Sequence, residues 1–83
     1  MALSIWQREE VRSAQSWCEV ALRALTSHRY LYTNSGLLDL RDGLVIETER
    51  LVNCLGIDGV RHPAFSECQY MITEIDAATG YGH

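Results

Sequence analysis

Three residues in the segment RALTSHRY carry side chains suited to phosphodiester chemistry. Arg23 is followed after four residues by His28, and Tyr30 stands two positions further on. An imidazole can move a proton during a reaction, and a guanidinium can stabilise the charge that develops on a phosphate in the transition state. Arg23, His28 and Tyr30 are therefore the candidate catalytic residues of this chain.

The spacing Arg-x4-His-x-Tyr resembles the motif of the HEPN ribonucleases. The resemblance implies an all-helical, commonly dimeric fold, in which Arg23 and His28 of two protomers form a composite RNA-cleaving site and a partner nucleotidyltransferase modifies Tyr30. The sequence departs from the family at Ala24, where a polar residue such as Asn is usual. We prefer a simpler interpretation, in which Arg23 is a solvated helix residue and His28 follows the helix C-terminus, where positive charge is favourable.

The three cysteines suggest a second kind of site. Cys18, Cys54 and Cys68 each fall near the inner side of a different predicted helix, so a thiolate metal site completed by His28 or His62 is an alternative. Structural zinc sites usually take ligands from close Cys-x2-Cys pairs, and the chain contains none. Because free cysteine is also a preferred core residue, we expect three reduced core thiols and no metal.

Other catalytic motifs are missing from the sequence. It contains no glycine-rich phosphate loop, nucleophile elbow or zinc-binding helix motif. Glu47 and Glu49 in the segment IETER are predicted to lie on a solvated helix face. We therefore expect a non-enzymatic protein without a cofactor.

Length and charge restrict the class of protein further. Eighty-three residues suit a single domain, 1–83. The net charge is −4 and all seven basic residues are arginine, so nucleic-acid binding is disfavoured. No apolar run reaches the length of a membrane span, and the N-terminus lacks the pattern of a signal peptide. These features predict a cytoplasmic protein without a membrane partner.

The elements that must position these residues are helices. Ser4 and Gln7 have the spacing of a capping box, which predicts that a first helix begins here and covers about residues 4–27. Its predicted inner face comprises Trp6, Val11, Ala14, Trp17, Cys18, Ala21, Leu22 and Leu25.

A turn-forming segment, 28–36, separates the first helix from the second. Asn34 or Ser35 is expected to cap this second helix, which covers residues 35–55 and ends at Gly56 in a left-handed C-cap. Its apolar residues form a doubled heptad, namely Leu37 and Leu38, Leu44 and Val45, and Leu51 and Val52.

Residues 56–62 are predicted to form a loop before a third helix over residues 63–79. Pro63 suits the first turn of this helix, and Gly80 suits its end. The sequence thus predicts an all-α fold of three amphipathic helices. They pack either as an up-down-up bundle or as an orthogonal cluster.

The second helix is more apolar than a three-helix core requires, because its apolar arc spans roughly 160° and Ile46 lies on the opposite side. We therefore expect a homodimer that binds or inhibits a larger, unidentified protein, as accessory proteins of phages or mobile elements do. An alternative is a nucleotide-binding protein whose ligand contacts Arg29, Tyr30 and Tyr32. The predicted interface residues are Trp6, Trp17, Leu38, Val45, Ile46, Val52 and Tyr70.

Overall fold

The computed structural model describes residues 3–31 and 33–80, except for the side chains of residues 28–31. Within these ranges the chain is helical and contains no strand, which confirms the predicted all-α class. The elements are α1 (Ile5–Leu31), α2 (Asn34–Leu55), α3 (Ile57–Arg61) and α4 (Pro63–Thr79).

The expected count of three helices is wrong, because the predicted loop 56–62 contains the short helix α3. The other three helices correspond to the predicted ranges, although α1 continues to Leu31 instead of ending near residue 27. As a result the connection between α1 and α2 is shorter than the sequence suggests.

Contacts between α1 and α2 show that these helices run antiparallel. Gln7 near the start of α1 donates to the carbonyl oxygen of Cys54 near the end of α2. Further along α1, Trp17 lies against Gly43, where an added Cβ would come within 2.5 Å of the indole ring. Glycine is therefore what allows the two helices to approach so closely at this level.

The fourth helix completes an up-down-up bundle. Arg41 of α2 forms an ion pair with Asp76 near the end of α4, so α4 runs antiparallel to α2. Cys68 of α4 packs against Cys18 of α1, so these helices are neighbours, and they are parallel because both run antiparallel to α2. This arrangement decides between the two packings that helix periodicity leaves open.

The core is formed by small residues of α1, leucines of α2 and mixed apolar residues of α4. Small residues on α1 bring the three helices close together, and the leucines of α2 fill the space between α1 and α4. The buried apolar residues are Val11, Ala14, Cys18, Ala21, Ala24, Leu37, Leu44, Leu51, Leu55, Ala64, Cys68, Met71 and Ile75.

Capping interactions show why the helices begin where they do. The capping box is confirmed, since Gln7 N donates to Ser4 Oγ and Ser4 N donates to Gln7 Oε1. The expected cap of α2 is wrong, because the hydroxyl of Thr33, one residue earlier, accepts from Gly36 N. At α4, His62 Nδ1 accepts from the amide of Ala64.

Glycines end two of the helices. Gly80 ends α4, as predicted, and adopts the left-handed conformation. Gly56 also has a positive φ of 66°, but its ψ of −142° lies outside the left-handed helical region predicted for it. That backbone region is almost restricted to glycine, and it turns the chain from α2 directly into α3.

The predicted inner face of α1 needs two corrections. Trp6 and Leu22 are exposed, because the arc that α2 and α4 actually cover is narrower than the apolar arc of the sequence. None of the helices in the described ranges is long and apolar enough to cross a membrane.

Candidate functional site

The candidate catalytic residues are only partly covered by the structure. Arg23 lies exposed on α1. His28 and Tyr30 belong to the part of α1 whose side chains lie outside the described residues, as does Arg29, and Tyr32 lies outside them altogether. The RNA-cleaving site and the nucleotide pocket therefore remain predictions.

A carboxylate lies inside the bundle. Glu47 of α2 is 1% exposed, so the prediction that it faces solvent is wrong. Its Oε1 accepts a hydrogen bond of 2.9 Å from the hydroxyl of Ser13 and lies 3.6 Å from Arg50 Nη1. Its Oε2 is buried and has no hydrogen-bond partner. The carboxylate is thus only half satisfied.

The carboxylate of Glu47 also affects a neighbouring acid on α1. Burial and the nearby Glu47 raise the pKa of Glu10, and Arg50 partly opposes this effect. Glu10, Glu47 and Arg50 therefore form one electrostatic group between α1 and α2.

Two cysteines lie next to this group. The Sγ atoms of Cys18 and Cys68 are 3.4 Å apart, and Cys68 Sγ lies 3.8 Å from the carbonyl oxygen of Ala14. The hydrogen bond between the thiols lowers the pKa of Cys18, against the effect of burial, and together with burial raises the pKa of Cys68. Nearby carboxylates, Glu47 and Glu67, raise the pKa of Cys68 further and partly oppose the lowering of the pKa of Cys18.

The buried polar groups are poorly placed for substrate chemistry. Cys68 and Glu47 are inaccessible to solvent, so a substrate would have to open the bundle to reach them. The third cysteine, Cys54, lies apart near the end of α2 and is half-buried. Among the described residues, no group of three histidine, cysteine or acidic side chains could hold a metal ion.

Sequence reasoning missed the burial of Glu47, although the sequence contained a signal. Leu44 precedes it by three residues and Leu51 follows it by four, so all three lie on one face of α2. A charged residue between two core leucines belongs to the stripe that packs inward. The prediction gave more weight to the charge than to the spacing.

A groove between α1 and α4 is open to solvent and has a volume of about 560 Å³. Exposed Leu22 (54%) and Tyr70 (59%) lie on its two sides. Two carboxylates, Glu19 of α1 and Glu67 of α4, also line it, and none of the described basic residues does. The remaining lining residues are Gln15, Cys18, Ser66 and Met71. The groove therefore combines apolar side chains with negative charge.

Three exposed apolar residues lie at the end of the bundle where α1 begins and α2 meets α3. We call Trp6, Ile57 and Val60 the end patch. Trp6 is 78% exposed and Ile57 is 67% exposed. The hydrogen bond from Gln7 to Cys54 places the start of α1 beside the end of α2, and thus the three residues at the same end.

The predicted interface residues do not lie on one face. Tyr70 lies in the α1/α4 groove, Trp17 between α1 and α2, and Val52 beside Phe65 between α2 and α4. Three members of the predicted set, Trp6, Ile46 and Tyr70, are exposed, and the other four, Trp17, Leu38, Val45 and Val52, are half-buried.

Comparisons with protein-family models, curated protein sequences and solved structures found no match to this chain.

Proposed function

We propose that this protein is a non-enzymatic helical interaction module that self-associates and binds a larger protein. The observation that carries the proposal is the end patch, where Trp6 is 78% exposed at the end of the bundle that also carries the exposed Ile57 and Val60. Tryptophan is among the residues that contribute most to binding energy at protein interfaces.

The free energy available at the end patch supports this proposal. A tryptophan side chain buries 150–250 Å² when fully covered, so covering the exposed part of Trp6 would contribute roughly 3–5 kcal/mol at about 25 cal/mol per Å². Ile57 of α3 exposes further apolar area at the same end of the bundle. A partner with an apolar pocket of matching size would therefore bind at this end.

The proposed partner is a larger protein whose activity the module inhibits by covering its surface. We propose a cytoplasmic location for this binding, and an origin among the accessory proteins of phages or mobile elements. The small size of the chain and its odd number of cysteines favour these two proposals.

The end patch can be tested by comparing two apolar truncations on α1. Tagged wild-type protein, Trp6→Ala and Val20→Ala are used to capture proteins from lysate, and each captured protein is purified and titrated against all three variants. Val20 is the matched control, because it is also apolar and exposed but lies in the groove between α1 and α2.

We expect one larger protein to bind wild type and Val20→Ala equally, and Trp6→Ala more weakly by at least tenfold. Circular dichroism must show that all three variants are folded. Equal binding by Trp6→Ala, or no protein that binds the wild type in the titration, would contradict the proposal.

A further inference from the structure

Six exposed residues of α1 form a line along its outer surface. We call Ile5, Arg8, Arg12, Gln15, Glu19 and Leu22 the α1 stripe. Their spacing alternates between three and four residues, which keeps them on one side of a helix over five turns. None of them is covered by α2 or α4, since all six are exposed.

The residue types along the α1 stripe complement the same residues read in the opposite direction. When two stripes run antiparallel, Ile5 of each copy lies opposite Leu22 of the other, and Arg8 lies opposite Glu19. The middle pair is then Arg12 with Gln15, a cation beside an amide oxygen. The apolar pairs thus lie at the two ends of the contact and the polar pairs between them, and a two-fold axis generates each pair twice.

The charges of the stripe have few partners within one chain. Neither Arg8 nor Glu19 forms an ion pair with another described residue. Arg12 lies 3.7 Å from Glu9, but both side chains are exposed, so this pair contributes little. The arginines are therefore available to a second molecule.

The α1/α4 groove complements the same stripe. Gln15, Glu19 and Leu22 line the groove, together with Glu67 and Tyr70 of α4. If the α1 stripe of a second copy lies in this groove, its Arg8 and Arg12 approach the two acidic residues of the groove, Glu19 and Glu67. This stripe also places an isoleucine against the exposed apolar side chains of Leu22 and Tyr70.

We infer that the α1/α4 groove receives α1 of a second copy of this chain, antiparallel, with Arg8 of each copy paired with Glu19 of the other. The inference rests on the proposed self-association and names the surface that performs it. Trp6 of the end patch lies on another side of α1, and the patch stays available for a different protein.

This dimer has a consequence for the candidate catalytic residues. Its two-fold axis passes near residues 13 and 14 of α1, so the two copies of Arg23 lie about 28 Å apart at a rise of 1.5 Å per residue. A composite site built from Arg23 and His28 of both copies does not form in this arrangement.

The pairing can be tested by reversing one charge at a time. In a dimer of Arg8→Glu, the new glutamate of each copy faces Glu19 of the other. In a dimer of Glu19→Arg, the new arginine of each copy faces Arg8 of the other. We expect each variant alone to dimerise about tenfold or more weakly than the wild type. Mixing the two variants restores opposite charges at both positions, so the mixture should form a heterodimer of near wild-type affinity.

Sedimentation velocity over a range of concentrations measures these affinities, and a tag on one variant identifies the heterodimer. Glu49→Arg is the matched control for Glu19→Arg, because Glu49 is exposed beside the α2/α4 surface. This control should dimerise like the wild type. Higher salt should weaken the wild-type dimer.

Two results would overturn the inference. If the wild type dimerises but the mixed variants do not regain near wild-type affinity, the second copy binds at another surface. The proposed self-association is then still supported. If the wild type is monomeric at all concentrations, both the inference and the proposed self-association fail. Binding through the end patch is measured separately and does not depend on either result.

Discussion

Replacing Glu47 by methionine removes a carboxylate from the core and keeps an unbranched side chain of similar length. In the wild type this carboxylate is 1% exposed, and Oε2 has no hydrogen-bond partner. An unsatisfied buried polar group costs about 1–3 kcal/mol, and more if it is charged. We therefore expect Glu47→Met to increase the free energy of unfolding.

The size of the increase follows from what is lost and gained. The substitution removes the hydrogen bond from Ser13, which is worth about 1 kcal/mol, but the half-buried hydroxyl can bond to water instead. It also removes the weak pair with Arg50, whose side chain is 61% exposed. A net stabilisation of about 1–3 kcal/mol remains, in line with other replacements of buried charges by apolar residues.

Thermal and urea unfolding followed by circular dichroism measure this change. For a domain of this size, 1 kcal/mol corresponds to a shift in Tm of about 4–8 °C, so Glu47→Met should unfold roughly 5–20 °C higher than the wild type. Glu47→Gln should give a smaller increase, because it removes the charge but keeps an oxygen that can accept from Ser13.

A double-mutant cycle with Ser13→Ala tests the interaction between Ser13 and Glu47, whether Glu47→Met itself stabilises or destabilises the protein. Ser13→Ala takes the donor from Oε1 and should destabilise the wild type by about 1–3 kcal/mol. In the Glu47→Met background the same change should be nearly neutral, because no carboxylate is left without a partner. A lower Tm for Glu47→Met, with equal effects of Ser13→Ala in both backgrounds, would refute the argument.

Three further predictions use other parts of the structure. Because the pKa of Glu10 is raised above its ordinary value of 4.5, the folded state disfavours its charged form, and this penalty develops as the pH rises from 4.5 through the higher folded value. Glu10→Gln should therefore stabilise the protein at pH 7 and have no such effect below pH 4.5 in urea titrations; an equal gain at both pH values would contradict the assignment. Gly59→Ala would place a Cβ 2.3 Å from a backbone carbonyl oxygen of α2, so it should destabilise by about 3 kcal/mol or more. Gly43→Ala, which meets only the movable Trp17 ring, should cost less, about 1–2 kcal/mol, and the reverse order in urea unfolding would show that α3 is not packed as described. Finally, incubation with RNA should give no cleavage that differs between wild type and His28→Ala, and cleavage lost in that variant would restore the ribonuclease interpretation.

The three long helices could be predicted from the sequence because the signals that form them are local. The capping box of Ser4 and Gln7, the position of Pro63 and the glycine at position 80 each act within one turn of helix. Apolar spacing likewise identified the leucines of α2 that fill the core. The interactions that set where these helices begin and end thus come from residues close by in the sequence.

The candidate sites were less predictable, because they depend on which part of each helix its neighbours cover. Trp6 and Leu22 lie on the apolar side of α1, yet both are exposed, since α2 and α4 pack against a narrower arc. The line of charges on α1 was present in the sequence, but the groove that complements it exists only where α1 and α4 run parallel.

Periodicity along α2 was sufficient to place Glu47 on the same face as Leu44 and Leu51. Whether that face is covered by water or by two other helices depends on packing between residues more than thirty positions apart, such as Ser13 and Glu47. The sequence by itself therefore determined the three long helices and the sides of each that are apolar. Only the tertiary structure decided which side chains are buried, because a side chain on one helix is buried only where another helix packs over it.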